Sequence, residues 1–153
     1  MKSIKEAVYF IKKKSFSEPE IGIVLGTGLE GLLKKCEIEL CIPYKEIPHF
    51  PVSTVQSHQG QLLFGTMEDK NVVIMQGRFH YYEGYTTKEI TFPIRVLKEL
   101  GIKNLLMSNA SGAINPIYKK GELVIINDHI NLLFENPLRG KNMEEYGARY
   151  TDM

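Results

Sequence analysis

Tryptophan is absent, cysteine occurs only twice, and no apolar run approaches the length that spans a bilayer. Each lack removes a class of protein. Cys36 and Cys41 fall on one expected strand with opposite side-chain parity, so they do not bridge without bending it. No second pair exists to build a zinc site. Two reduced thiols in a cytoplasmic protein are the expectation. Net charge is missing too: 19 basic residues stand against 18 acidic ones, a formal charge of +1. That balance makes no electrostatic case for nucleic acid or an acidic membrane as partner. The basic run Lys12–Lys14 is read as the solvated face of a helix, and charge interrupts MKSIKEAVYFIKKK too often for a signal peptide. There is no Gly-Lys-Ser/Thr phosphate loop, no nucleophile elbow and no metal-ligand spacing. No metal is therefore expected, and the nucleophile of any reaction is expected to be a bound anion.

What is present fits one domain. The chain has 153 residues, 43% hydrophobic and 24% charged, enough for a real core. Ser3 and Glu6 have capping-box spacing, and Ile4, Ala7, Val8 and Ile11 follow at helical intervals. Ile21–Leu25 is apolar without alternation, as in a buried strand, and stops at Gly26-Thr27-Gly28. A helix is expected over 29–35. Cys36, Ile38 and Leu40 alternate with Glu37 and Glu39, which predicts a half-buried strand. Gln61–Thr66 and Asn71–Gln76 read as a hairpin. Thr86 and Glu89 form a second capping box, opening a helix toward Leu100 with Gly101 as its left-handed cap; Pro93 should kink or delay it. Asn104–Met107 is expected as a buried strand and Leu123–Ile126 as a further one. Strands alternating with helices predict an α/β layer structure, with a largely parallel sheet and one antiparallel hairpin. Ligands in such folds gather outside the strand C-termini.

The polar turns carry the chemistry. MQGRFHYYEGY, Met75 to Tyr85, sets Arg78 two residues from His80, so both side chains point the same way in extended chain. Arg offers a planar fork of donors for phosphate or carboxylate oxygens, and His is tuned by its neighbours. Glu83 is placed to accept from the far ring nitrogen of His80; these two are the candidate catalytic pair. Gly26-Thr27-Gly28 is either an anion nest, with the Thr27 hydroxyl as a further donor, or a plain strand-to-helix turn. The loop 53–60 either carries His58 toward the anion or is ordinary surface. Asn109-Ala110-Ser111-Gly112 turns backbone amides toward a ligand. Asp128 and His129 are expected to pair and fix their loop to the sheet.

Taken together, these residues resemble the trimeric purine nucleoside phosphorylase family. The pieces occur in the family's order: GIVLGTGL at Gly22 to Leu29, IPHFPVSTVQSHQGQLLFG at Ile47 to Gly65, MQGRFHYYEGYTTKEITFPIRVLKELG at Met75 to Gly101, SNASGAINP at Ser108 to Pro116, and NDHINLLFENPLRGKN at Asn127 to Asn142. The resemblance implies a phosphorylase/hydrolase-like three-layer α/β fold with a mixed, mostly parallel sheet, residues 1–153 being the N-terminal part of a single domain. It implies reversible phosphorolysis of inosine or guanosine to purine base and ribose 1-phosphate. Inorganic phosphate is then the co-substrate, with no cofactor. The phosphate site maps onto Thr27, His58, Arg78, His80 and the Ala110 amide. The nucleoside site maps onto Tyr82, Asn109, Ala110 and Tyr150, the last reaching an adjacent subunit of a homotrimer.

The family's base-recognising Glu and Asn come later than Met153. The resemblance therefore implies that the chain as given lacks turnover and that the intact gene product has it. Thr27, Ser57, Ser111 and Ala113 depart from the family's usual residues. Methylthioadenosine phosphorylase is the alternative enzyme, and a non-catalytic truncated fragment is the alternative from another class.

Overall fold

The computed structural model describes residues 1–15, 17–26, 28–52 and 60–149. The chain divides into two compact units, Met1–Ala110 and Ser111–Met153. The first holds helix α1 (Lys2–Lys14), strands β1 (Ile21–Val24), β2 (Glu37–Pro43), β3 (Gln61–Met67) and β4 (Lys70–Gln76), helix α2 (Thr87–Leu100) and strand β5 (Asn104–Met107). The five strands form one sheet in the order β2-β3-β4-β1-β5. β1 runs parallel to both β4 and β5, while β2–β3 and β3–β4 are antiparallel. The sheet is mixed, as expected, with β2 extending the hairpin into a three-stranded meander.

Side-chain alternation gives the sheet two apolar faces. Ile23, Leu25, Leu63, Val72 and Ile74 form one, covered by Leu32, Leu33 and Cys36. The opposite face carries Val24, Leu62, Phe64, Val73 and Met75, all buried. The helices cover that side. A Cβ on Gly22 would lie 3.4 Å from Leu97 of α2, and Ile11 of α1, Phe64 and Leu100 line one small cavity. The result is three layers.

Local signals read correctly where the turn chemistry is self-contained. Glu68 and Asp69 both take positive φ, 47° and 59°, the pair of left-handed residues that a two-residue hairpin turn requires. The Thr86 hydroxyl accepts from Glu89 N–H at 3.3 Å, Glu89 accepts from Thr86 N–H at 2.8 Å, and Gly101 closes α2 in the left-handed region. α2 starts at Thr87, so Pro93 does not delay it.

Other expectations are corrected. Ser3 lies inside α1, whose N-cap is Met1 with no side-chain cap bond. Glu6 instead meets His49 Nε2 at 2.5 Å, and that hydrogen bond holds its carboxyl below the usual range. Residues 30–35 form a 3-10 helix. β2 shifts register between Ile38 and Leu40, which breaks the expected alternation and leaves Ile38 exposed. β5 forms where expected but borders the sheet with only β1 beside it, so Leu106 and Met107 are exposed rather than buried.

The second unit has one short 3-10 helix, Glu144–Tyr146, among its described residues. The strand expected over Leu123–Ile126 is not formed, and Leu123 and Ile125 are 92% and 94% exposed. A strand needs a neighbouring ladder, which apolar β-branched content does not supply by itself. Further along this unit short Asn-centred turns form: Asn131 and Asn136 accept from the amides of Leu133 and Leu138. The Asp128 carboxylate accepts from the His129 amide at 2.7 Å and both residues are exposed, a bond between chain neighbours rather than between their side chains.

Both cysteines are free, Cys36 half-buried and Cys41 exposed. Burial pushes the Cys36 thiol up, and the carboxylates of Glu39 and Glu37 push it further. Access and thiolate fraction both disfavour Cys36. Peptide mass spectrometry after brief iodoacetamide treatment is expected to show Cys41 alkylated several-fold faster. Equal rates would contradict this placement.

Candidate functional site

The C-terminal ends of β1, β4 and β5 lie side by side, with Val24 in register with Met75 and with Met107. The three chain segments that leave this edge of the sheet are therefore neighbours. Gly77, at φ 99°, turns the chain out of β4 in a conformation that suits glycine. Its carbonyl accepts from the Tyr44 hydroxyl at 2.7 Å. Tyr44 is a buried phenol whose pKa burial pushes up, so it remains a donor. Past this anchor the side chains alternate. Phe79 turns inward against the rings of Tyr44 and Tyr85, with centroids at 5.3 and 5.6 Å, and is buried. Arg78 and His80 take the other side together, as their spacing predicts.

Arg78 is held at two corners. Its Nη1 donates to the Ser108 carbonyl at 2.6 Å, and its Nε donates to His80 Nε2 at 3.1 Å. His80 Nδ1 lies 2.7 Å from Glu83 Oε1, and the same oxygen accepts from the His80 amide at 3.0 Å. These contacts decide the tautomer. Arg can only donate, so Nε2 accepts, and the ring proton sits on Nδ1 facing the carboxylate. The expected His80–Glu83 contact is present, and the Glu83 side chain is only 3% exposed. The Tyr82 ring stacks on the imidazole at 4.7 Å and 16° while remaining 79% exposed. Tyr85 serves the packing: its hydroxyl donates to the Val52 carbonyl, and burial, with the charges of Glu83 and Glu89, raises its pKa.

The glycine turn after β1 meets the same place. Gly26 N–H donates to Ser108 Oγ at 2.8 Å, and Gly28 has φ 86°. Gly26 is therefore committed to the protein rather than open to a ligand. Asn109 and Ala110 follow Ser108 and are exposed. The structure thus gathers Arg78, His80, Glu83, Tyr82 and the Gly26 turn around the end of β5. Thr27, His58 and Tyr150 lie outside the described residues, as does Ser57.

Two residues escaped the sequence reading. Ser108 stood there only as the first residue of the SNASGAINP stretch, although its place as the first polar residue past a strand marks it as a junction. Tyr44 gave no signal, because its partner Gly77 is 33 residues away. Chemically, the arrangement offers a fixed guanidinium whose Nη2 has no partner among the described residues, beside an aromatic shelf. Among the described residues no cluster of His, Cys, Asp and Glu suits a metal ion, and no helix is long and apolar enough to cross a membrane.

Known proteins match this chain over nearly all of its length. Purine nucleoside phosphorylase 1 of Geobacillus stearothermophilus is 49% identical over 151 residues, which cover 99% of this chain and 55% of that protein. The crystal structure of Schistosoma mansoni purine nucleoside phosphorylase in complex with adenosine superposes with a TM-score of 0.89 at 44% identity, covering 98% of this chain and 53% of that one. Isoform 2 of the Schistosoma mansoni enzyme, in complex with cytosine and ribose-1-phosphate, gives a TM-score of 0.90 at 44% identity, covering 99% and 54%. The chain spans about half the length of the curated relatives it matches. Residues 20–153 match the phosphorylase superfamily, and the chain belongs to that family.

Proposed function

We propose that this chain carries the phosphate-holding part of a purine nucleoside phosphorylase, which converts inosine or guanosine and phosphate to free purine and ribose 1-phosphate. The observation that carries the reading is the Arg78 guanidinium, fixed between the Ser108 carbonyl and His80 beside the glycine turn of β1. That is where an oxyanion finds a preset cation, and preset donors need no reorganisation when charge develops. In the proposed reaction the sugar gains oxocarbenium character as its bond to the base loosens. Phosphate held against the anomeric carbon stabilises that charge and then captures it.

Arg78 binds phosphate in this scheme. His80, proton on Nδ1 and oriented by Glu83, keeps the cation in place. Thr27, His58 and the Ala110 amide complete the phosphate shell; Tyr82, Asn109 and Tyr150 contact the nucleoside. The solved relative with cytosine and ribose-1-phosphate supports sugar phosphate as a ligand class. No cofactor beyond phosphate enters, the assembly is a homotrimer, and the location is the cytoplasm, a reading the two unpaired thiols support.

The base-recognising groups of the resemblance are not among these residues. The 153-residue polypeptide alone is therefore expected to bind phosphate and to release no hypoxanthine from inosine. A polypeptide that also carries the remaining half of the relatives' length is expected to release it. A coupled hypoxanthine assay on both decides. Turnover by the short chain would refute the division of labour, and none by the long one would refute the activity.

A further inference from the structure

We infer that Ser108 is a positioning residue for the anion site, its hydroxyl and its carbonyl holding the glycine turn of β1 and the Arg78 guanidinium at a fixed separation. The inference rests on the phosphate reading above. Ser108 is the first residue past β5, and its two oxygens serve different elements. Oγ accepts from Gly26 N–H at 2.8 Å and donates to the Val24 carbonyl at 3.3 Å. A hydroxyl has one proton and two lone pairs, so both bonds form at once. Its carbonyl accepts from Arg78 Nη1 at 2.6 Å.

The contact has no slack. A Cβ on Gly26 would stand 2.7 Å from the Ser108 carbonyl oxygen and 3.0 Å from Oγ. The gap between the ends of β1 and β5 is therefore set by glycine's missing side chain, two hydroxyl bonds and the Ser108 N–H bond to the Val24 carbonyl at 3.3 Å, and the cation hangs from the same residue. An oxyanion shared between the turn and the guanidinium senses that gap, because hydrogen bonds weaken steeply with distance and angle.

The test is phosphate titration of the full chain by calorimetry, with three variants. Ser108→Thr keeps the hydroxyl, Ser108→Val has the same shape without it, and Ser108→Ala removes it with least bulk. Phosphate affinity is expected to fall roughly fivefold to tenfold in the Val and Ala variants and to stay within about twofold in Thr. Recovery in Thr against loss in Val separates the hydroxyl from packing. Equal affinity in all four chains, or a loss in Thr matching that in Val, overturns the role of Ser108 while leaving the phosphate reading intact. Failure of the wild-type chain itself to bind phosphate overturns both. Amide hydrogen exchange of Gly26 in the wild-type chain supplies a reading that no variant's folding affects. Protection is expected, and exchange at the rate of an open amide overturns the proposed bond.

Discussion

Calorimetric titration of the Arg78→Ala chain with inorganic phosphate is expected to give an affinity about a hundredfold weaker than that of the wild-type chain, a loss of roughly 3 kcal/mol. The magnitude follows from what the side chain does. Hydrogen bonds to charged groups contribute about 1.5–3 kcal/mol, and a phosphate keeps much of its charge when it leaves bulk water. The substitution also frees His80 Nε2 and the Ser108 carbonyl, the two groups that now accept from the guanidinium. Arg78→Lys is expected to recover little. An ammonium is a point charge, and it does not reach two divergent acceptors and an anion from one planar frame. An affinity within about twofold of wild type for Arg78→Ala would remove Arg78 from the anion site.

The second large effect is on stability. Gly65 of β3 faces the backbone of β2 at the register shift between Ile38 and Leu40. A Cβ there would lie 2.2 Å from the Glu37 carbonyl oxygen, 2.9 Å from its carbon and 3.0 Å from the Ile38 Cα. All three are backbone atoms, so no side-chain rotation relieves the clash; β2 must move away and give up part of its ladder. Gly65→Ala is expected to cost about 3 kcal/mol, at the upper end of overpacking changes. Gly31→Ala is the control, since nothing lies within 4 Å of a Cβ at that glycine. Urea unfolding followed by circular dichroism reads both. A Gly65→Ala midpoint equal to the control's would refute the close approach.

These cases also mark where the sequence was legible. Signals closed within a few residues came through: the Thr86–Glu89 box with Gly101, the tight hairpin at Glu68-Asp69, and the Arg78/His80 parity with Glu83 behind it. Signals that depend on distant partners did not. The Ser3–Glu6 spacing satisfies the same local rule as Thr86–Glu89, but Glu6 is drawn to His49, 43 residues away, and the cap is lost. Leu123–Ile126 has strand composition without a ladder to join, and β5 has a ladder on one side only. Ser108 shows the same limit inside the site. Its role depends on Gly26, 82 residues earlier, and no pattern local to either residue announces the contact. The family resemblance implies roles for individual residues, while the linkage through Ser108 exists only in the folded chain.

The two-cornered hold on Arg78 fixes an orientation as well as a place. A guanidinium is flat, and two in-plane bonds, one to an imidazole and one to a main-chain oxygen, prevent it from swivelling. Three N–H groups, one on Nη1 and two on Nη2, have no partner among the described residues, and all three lie in that plane. The route by which an oxyanion docks is thereby dictated by the strand ends, and a ligand arriving above or below the plane meets the wrong face of the ion.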